Sequence, residues 1–352
     1  MKLRFALFLV LLVPMPLASC QTEFGYEMIW GYENRGNETY VLTEKDMGVP
    51  VFMNTSHQQV RMKLIFDDWE LVELNEGFSK AVNVETMSVS PGDDALVVAH
   101  YYITSEALTP PRINGKEALG VDAIPPELDV FLEKNNLFPK DNPELAVRAV
   151  AITHTEDTVL GKTLKLVEWF GEYSIYTVNE LPKRQWATLR DPRGDCDDLS
   201  LLFISFCRSL GIPAYLQGGI LFSETMQLDE TDWDGHYRYV FDKVGWHAWA
   251  MVYIPPWGWL PVELTLSDGM RPVDAITDAY YWRDSTVVTW NITSHDYVQD
   301  EVNQREMLIE NNIYWIQSDS DGLPVKEEDS TGVILGGVIV VTVLLVYLKK
   351  YR

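Results

Sequence analysis

The chain has 352 residues, 47% of them hydrophobic, and a formal net charge of −24 at pH 7. The length suggests one large or two medium domains, and the apolar content suffices for a packed core. The acidic balance excludes nucleic acid as a partner, because phosphate binding needs a basic face, and it argues against docking on anionic lipid.

The first twenty residues read as an export signal. Lys2 and Arg4 precede an apolar run at 5–13, and Leu17-Ala18-Ser19-Cys20 offers a small-residue cleavage zone. That run is too short to span a bilayer. Leu-Ala-Ser-Cys also resembles a lipoprotein box, which would leave Cys20 lipidated; ordinary cleavage nearby is the alternative. From 21 to 141 the chain reads as a mixed α/β region. Strands are expected at 60–74 and 95–104, and Pro and Gly punctuate 110–126. His57 and His100 are isolated there and are expected in ordinary surface or core roles.

Asn142-Pro143-Glu144 is a helix start, with Asn as cap and Pro at the first position. Leu145, Ala149 and Ile152 then recur at helical spacing, as do Leu160, Leu164 and Val167. A loop with Tyr173 and Tyr176 leads to Gly194-Asp195-Cys196-Asp197-Asp198. Asp195 is a candidate helix cap with Asp198 as its partner three residues on, a capping-box variant. Leu199, Leu202, Phe203, Phe206 and Leu210 form an apolar stripe, and Gly211-Ile212-Pro213 ends the helix. Strands come next at 215–221, 248–254 and 259–264, with a turn at Pro255-Pro256-Trp257-Gly258. Helices first and strands after give an α+β arrangement. Beyond 271 one more strand at 286–293 and a polar helix at 299–310 are expected.

The C-terminus reads differently. Residues 317–330 are acidic and polar, the composition of a juxtamembrane linker. Residues 331–348 carry no charge, are rich in Val, Ile and Leu, and precede Lys349, Lys350 and Arg352. Such a run forms a membrane helix of about 27 Å, and the basic tail at 349–352 belongs on the cytoplasmic side. The intervening chain is then extracytoplasmic. Sequons at Asn37, Asn54 and Asn291 would carry glycans in a host that modifies exported proteins.

Three cysteines are too few for a disulfide scaffold. On one helix Cys196 and Cys207 would stand about 16 Å apart, too far to bridge. Cys207 is expected in the core. Cys196 falls at a helix N-terminus, where the macrodipole favours a thiolate. His247, in Trp246-His247-Ala248-Trp249, can serve as its base. Glu263, on the strand after the next turn, can orient the imidazole. The Cys196 N–H is a candidate oxyanion donor. Asp195, Asp197 and Asp198 oppose thiolate formation and are read first as helix-start residues, second as groups positioning substrate amines. The stretch Glu230-Thr231-Asp232-Trp233-Asp234-Gly235 partly resembles a calcium loop but has Phe241 where the last ligand belongs, so a solvated loop is expected. His236 and His247 lack zinc-ligand spacing. No metal and no cofactor are expected.

These motifs together resemble the transglutaminase-like superfamily. The resemblance rests on Gly194-Asp195-Cys196-Asp197-Asp198, Leu210-Gly211-Ile212-Pro213-Ala214, His247-Ala248-Trp249 and Gly258-Trp259-Leu260-Pro261-Val262-Glu263. It implies a papain-like core in which a helix bearing Cys196 packs on an antiparallel sheet bearing His247 and the acid. It also implies amide chemistry through a thioester on a protein or peptide substrate. The family usually has Asp where this chain has Glu263, so one extra methylene must be absorbed. No second domain typical of the animal crosslinking enzymes is recognisable, which favours hydrolysis over crosslinking. The alternative is an inactive member serving as a surface binding or assembly module. The resulting organisation is a signal peptide at 1–20, a mixed region at 21–141, a transglutaminase-like domain at 142–268, an extension at 269–316, a linker at 317–330, a membrane helix at 331–348 and a tail at 349–352.

Overall fold

Two long alternating stretches, on either side of residues 233–235, build the centre of the molecule. The computed structural model describes residues 21–42, 48–64, 69–73, 79–83, 87–266, 271–282 and 285–323. The expected signal peptide at 1–20 and membrane helix at 331–348 lie outside the described residues. Among the described residues no helix is long and apolar enough to cross a membrane.

The main sheet has eight strands: β1 (Gln21–Asn34), β2 (Gln58–Leu64), β3 (Asp94–Glu106), β4 (Ala214–Asp232), β5 (Tyr237–Ile254), β6 (Gly258–Val262), β7 (Thr286–Ile292) and β8 (Ile313–Asp321). Their order is β7-β4-β5-β8-β1-β3-β2, with β6 paired to β5. β5 changes neighbours along its length. Its first half pairs parallel with β8, and its second half pairs antiparallel with β6. The sheet is therefore mixed, where an antiparallel one was expected.

Among the described residues six α-helices accompany it: α1 (Pro143–Thr153), α2 (Val159–Tyr173), α3 (Gln185–Arg190), α4 (Cys196–Ser209), α5 (Asp274–Trp282) and α6 (Tyr297–Asn311). Asn142 caps α1 by accepting from the N–H groups of Glu144 and Leu145, as the Asn-Pro-Glu start predicts. Thr158 caps α2 through the Gly161 N–H. α4 is buried over nearly its whole length, from Asp198 to Arg208. Leu199, Leu202, Phe203 and Phe206 share one core with Leu145, Leu166 and Phe170 of the first two helices and with Ala250 and Val252 of β5. Gly211, at φ +75°, ends it in the left-handed conformation. Buried Arg208 fastens that end, donating to the carbonyls of Ala214 and Thr293 at 2.7 and 3.0 Å and lying 3.9 Å from the Phe138 ring centre.

Several expectations need correction. Residues 21–141 supply β1, β2 and β3, which continue the same sheet through β8. Among the described residues of 21–141 there are strands and short 3-10 turns but no α-helix. The expected linker at 317–330 begins inside the sheet, because β8 runs to Asp321 between β1 and β5. Its polar side chains conceal a buried strand. Gln317 accepts from the Tyr237 hydroxyl, and Asp319 accepts from the Trp246 indole and the Gln317 amide. The strands expected at 215–221 and 248–254 extend into one long hairpin, with the Tyr237, Tyr239 and Phe241 rings in a tilted row along its outer half. Its tip is Trp233–Gly235 rather than a solvated loop: Trp233 is buried and donates to the Glu180 carbonyl at 2.8 Å. His100 is a core residue paired with buried Glu27 at 2.8 Å.

Candidate active site

Cys196 is the first residue of α4 and is half-buried. Gly194 makes its approach possible. A Cβ at that position would lie 2.6 Å from the Asp198 Cβ, so only glycine lets the incoming chain pass so close to the first turn. The expected capping box does not form: the Asp195 side chain makes no cap hydrogen bond. Asp198 turns away and accepts from the Asn179 amide at 2.8 Å and from the Lys183 N–H at 2.5 Å. The helix opens instead with the Asp197 carboxylate accepting from the Asp198 N–H at 2.9 Å, and the Leu199 N–H donates to the Asp195 carbonyl. The Cys196 N–H belongs to the unsatisfied first turn and can act as an oxyanion donor.

His247 lies on β5 opposite Gly219 of β4 and is 9% exposed. The body of α4 packs against Ala250 and Val252, and its first turn brings the Cys196 thiol close enough to the imidazole to perturb its charge. Nε2 of His247 is engaged by Glu263 Oε2 at 2.6 Å, which leaves Nδ1 for the sulfur. Trp249, two residues on, stacks beside the ring with centroids 5.9 Å apart. The three residues singled out from the sequence, Cys196, His247 and Glu263, are thus assembled in one place.

The extra methylene of glutamate is absorbed by a rigid cradle. Glu263 is 3% exposed. Its second oxygen, Oε1, accepts from the Thr265 N–H at 2.7 Å, the Thr265 hydroxyl at 2.8 Å and the Leu266 N–H at 3.1 Å. Its backbone N–H donates to the Ala275 carbonyl just inside α5. With one oxygen held by three donors, the other is aimed at His247. Thr265 was not singled out from the sequence, although Glu263-Leu264-Thr265 directly after a strand is a short polar turn of the kind that folds onto its own carboxylate.

The electrostatics favour an ion pair. Burial would lower the His247 pKa, but the Glu263 charge and hydrogen bond, with the Cys196 thiol beside the ring, overcome it and raise the pKa well above the ordinary histidine range. Burial would raise that of Glu263, but the His247 charge and the Thr265 donors lower it. The acidic neighbours oppose the thiolate less than their number suggests. Burial and the charges of Asp197 and Asp198 push Asp195 up to about 10, which favours its neutral form. Burial and Asp197 push Asp198 to about 6, against the pull of its two donors. Oxygens of Asp195, Asp197 and Asp198 lie within 4.8 Å of one another, the one such group among the described residues that could hold a cation. A proton held within the group relieves the same repulsion. Half-buried Tyr297, from α6, donates its hydroxyl to Asp197 at 2.7 Å. A hundred residues separate the two, so no local pattern reveals that contact.

Residues 147–264 match the family model of the transglutaminase-like superfamily. Among solved structures, a candidate cysteine protease from Cytophaga hutchinsonii is similar at 16% identity and a TM-score of 0.54, over 78% of this chain and 83% of that one. That likeness shows a shared fold. The periplasmic domain of TgpA from Pseudomonas aeruginosa, solved with ethylmercury, aligns at 17% identity over 72% of this chain and 77% of that one, with a TM-score of 0.33. No curated protein matches the chain.

Proposed function

The chain carries a transglutaminase-like domain at residues 147–264, and from that premise we propose a membrane-anchored, extracytoplasmic cysteine enzyme that acts on protein or peptide amides through a thioester. The observation that carries this reading is the buried His247–Glu263 pair with the Cys196 thiol beside the imidazole. The Cys196 thiolate attacks the amide carbonyl, and the Cys196 N–H stabilises the resulting oxyanion. Imidazolium His247 then gives its proton to the departing amine as the carbon–nitrogen bond breaks. Neutral His247 next takes a proton from water, and the hydroxide opens the thioester, releasing the carboxylate and the thiol. Hydrolysis is favoured over transfer to a second amine. The anchor rests on the uncharged run 331–348 and the basic residues after it.

The test is labelling with iodoacetamide at pH 7, alongside a peptide-library screen for amide cleavage and for incorporation of an added amine. Cys196 is expected to label selectively, His247→Ala to slow it severely, and Cys196→Ala to abolish cleavage. Slow labelling indifferent to His247→Ala, with no turnover, would instead favour an inactive binding module.

A further inference from the structure

The residues just before the nucleophile run beside a short, exposed strand that the reaction scheme does not use. Ile175–Tyr176 pairs in parallel with Arg193–Gly194, with Tyr176 opposite Gly194, two residues before Cys196. The N–H groups of Ile175 and Thr177 donate to the carbonyls of Pro192 and Gly194, both at 2.9 Å. Because backbone groups alternate along a strand, the N–H and C=O of Tyr176 point to the opposite edge. This little sheet has only two strands, so that edge has no strand on it among the described residues. An open edge of this kind is a template for an added strand.

The side chains around it are unusually apolar for a surface. Four of the nine exposed large apolar residues among those described, Tyr173, Ile175, Tyr176 and Val178, fall within six positions. Such a cluster marks a binding surface far more than a scatter of single residues does. It is also continuous with the chemistry: the Tyr176 phenol is within electrostatic reach of Cys196, Asp195, Asp197 and Glu263. The Asp197 carboxylate at that end disfavours an acidic occupant.

Resting on the function proposed above, we propose that the free edge of Ile175–Tyr176 seats the substrate as an added strand, with Tyr176 and Val178 selecting an apolar, non-acidic residue within two positions of the attacked amide. Backbone pairing supplies generic affinity for an extended peptide, and the exposed side chains supply the preference. At about 3.3 Å per residue, the two-residue offset between Tyr176 and Cys196 sets the distance from the selected side chain to the reacting carbonyl.

The test uses the full chain carrying Cys196→Ser, with fluorescent peptides found in the cleavage screen, or random extended peptides if the screen finds none. Tyr176→Ser and Val178→Ser are expected to weaken binding of apolar peptides about tenfold or more, the scale of one lost half-buried apolar contact. They should level the preference between apolar and polar peptides. An N-methyl group on the peptide amide that pairs with the edge should weaken binding to the unaltered edge by a similar factor. In chains retaining Cys196, the same two variants should leave iodoacetamide labelling of that thiol unchanged. Unchanged peptide binding in both variants, or no peptide binding at all, overturns the proposal. So does a parallel loss of Cys196 labelling, because Tyr176 would then act by holding the nucleophile. Selective peptide binding at this edge with a Cys196 that is not activated would leave the docking edge standing and sink the catalytic reading alone.

Discussion

Glu263→Gln separates the orienting role of the carboxylate from its volume. Two orientations are open to the amide. If its oxygen replaces Oε2 and faces His247, the amide nitrogen meets the Thr265 N–H, the Thr265 hydroxyl and the Leu266 N–H, now donor against donor. The two N–H bonds, about 1 kcal/mol or more each, are then lost and those buried donors are left unsatisfied, although the hydroxyl can turn to accept. If its oxygen keeps those three partners, the amide nitrogen faces Nε2 of His247 at the 2.6 Å contact, one pairing is altered, and the others survive. The second orientation wins. Nε2 must then accept, which moves the imidazole proton to Nδ1, the nitrogen facing Cys196. The base arrives already protonated, in a neutral ring that no longer pairs with a carboxylate. A carboxylate-to-amide change at the orienting residue of a serine protease costs about 10⁴ in turnover for this reason, and a loss of about 10³ to 10⁴ is expected here. Breaking the buried ion pair should also lower stability by about 3 kcal/mol. The assay is the second-order rate of Cys196 labelling at pH 7, and then turnover of a peptide found in the screen, below the unfolding range of the variant. Labelling and turnover within tenfold of the parent would refute the argument that the Glu263 carboxylate sets the tautomer.

Three other outcomes are expected from the same geometry. Gly194→Ala places a methyl group 2.6 Å from the Asp198 Cβ; it should destabilise the fold by about 1–3 kcal/mol and slow Cys196 labelling, and a thermal midpoint equal to the parent's would contradict the packing described. Burial raises the pKa of the Cys207 thiol, and that residue is fully buried, so it should resist iodoacetamide until denaturant unfolds the chain; labelling at the Cys196 rate in buffer would show an open core. Burial also pushes Asp198, Asp319 and Glu301 up to about 6, 7 and 8. Their folded forms bind protons more tightly than the unfolded chain does, so the stability they add is complete below about pH 4 and is lost as pH rises through 6 to 8. The urea midpoint should therefore fall between pH 5.5 and 8.5. Asp319→Asn should flatten that slope by a few kcal/mol at most and raise the midpoint at pH 8.5; an unchanged slope would mean that Asp319 is not the titrating group.

Local chemistry is written locally, and that much could be read from the amino-acid order. Asn142-Pro143 starts α1 because its cap bonds reach only two and three residues ahead. Gly211 ends α4 because a single left-handed residue suffices. Cys196, His247 and Glu263 were legible as a nucleophile, a base and an orienter because each sits in a short, distinctive motif, and because a turn brings the last two onto adjoining strands. Contacts between distant segments were not legible. Residues 317–321 look like an acidic linker, since nothing near them reveals that Trp246 and Tyr237 engage Asp319 and Gln317 in the middle of a sheet. That one sheet runs across both sides of residue 141 was not legible for the same reason: strand pairing between β1 and β8 joins residues almost three hundred positions apart. Asp195 and Asp198 carry the spacing of a capping box, yet Asn179 and Lys183 of another segment capture Asp198. The residue types at the nucleophile were therefore determined by sequence alone. Tertiary packing decided which carboxylate holds a proton and how glutamate fits where aspartate is usual, because burial and partners from distant segments set both.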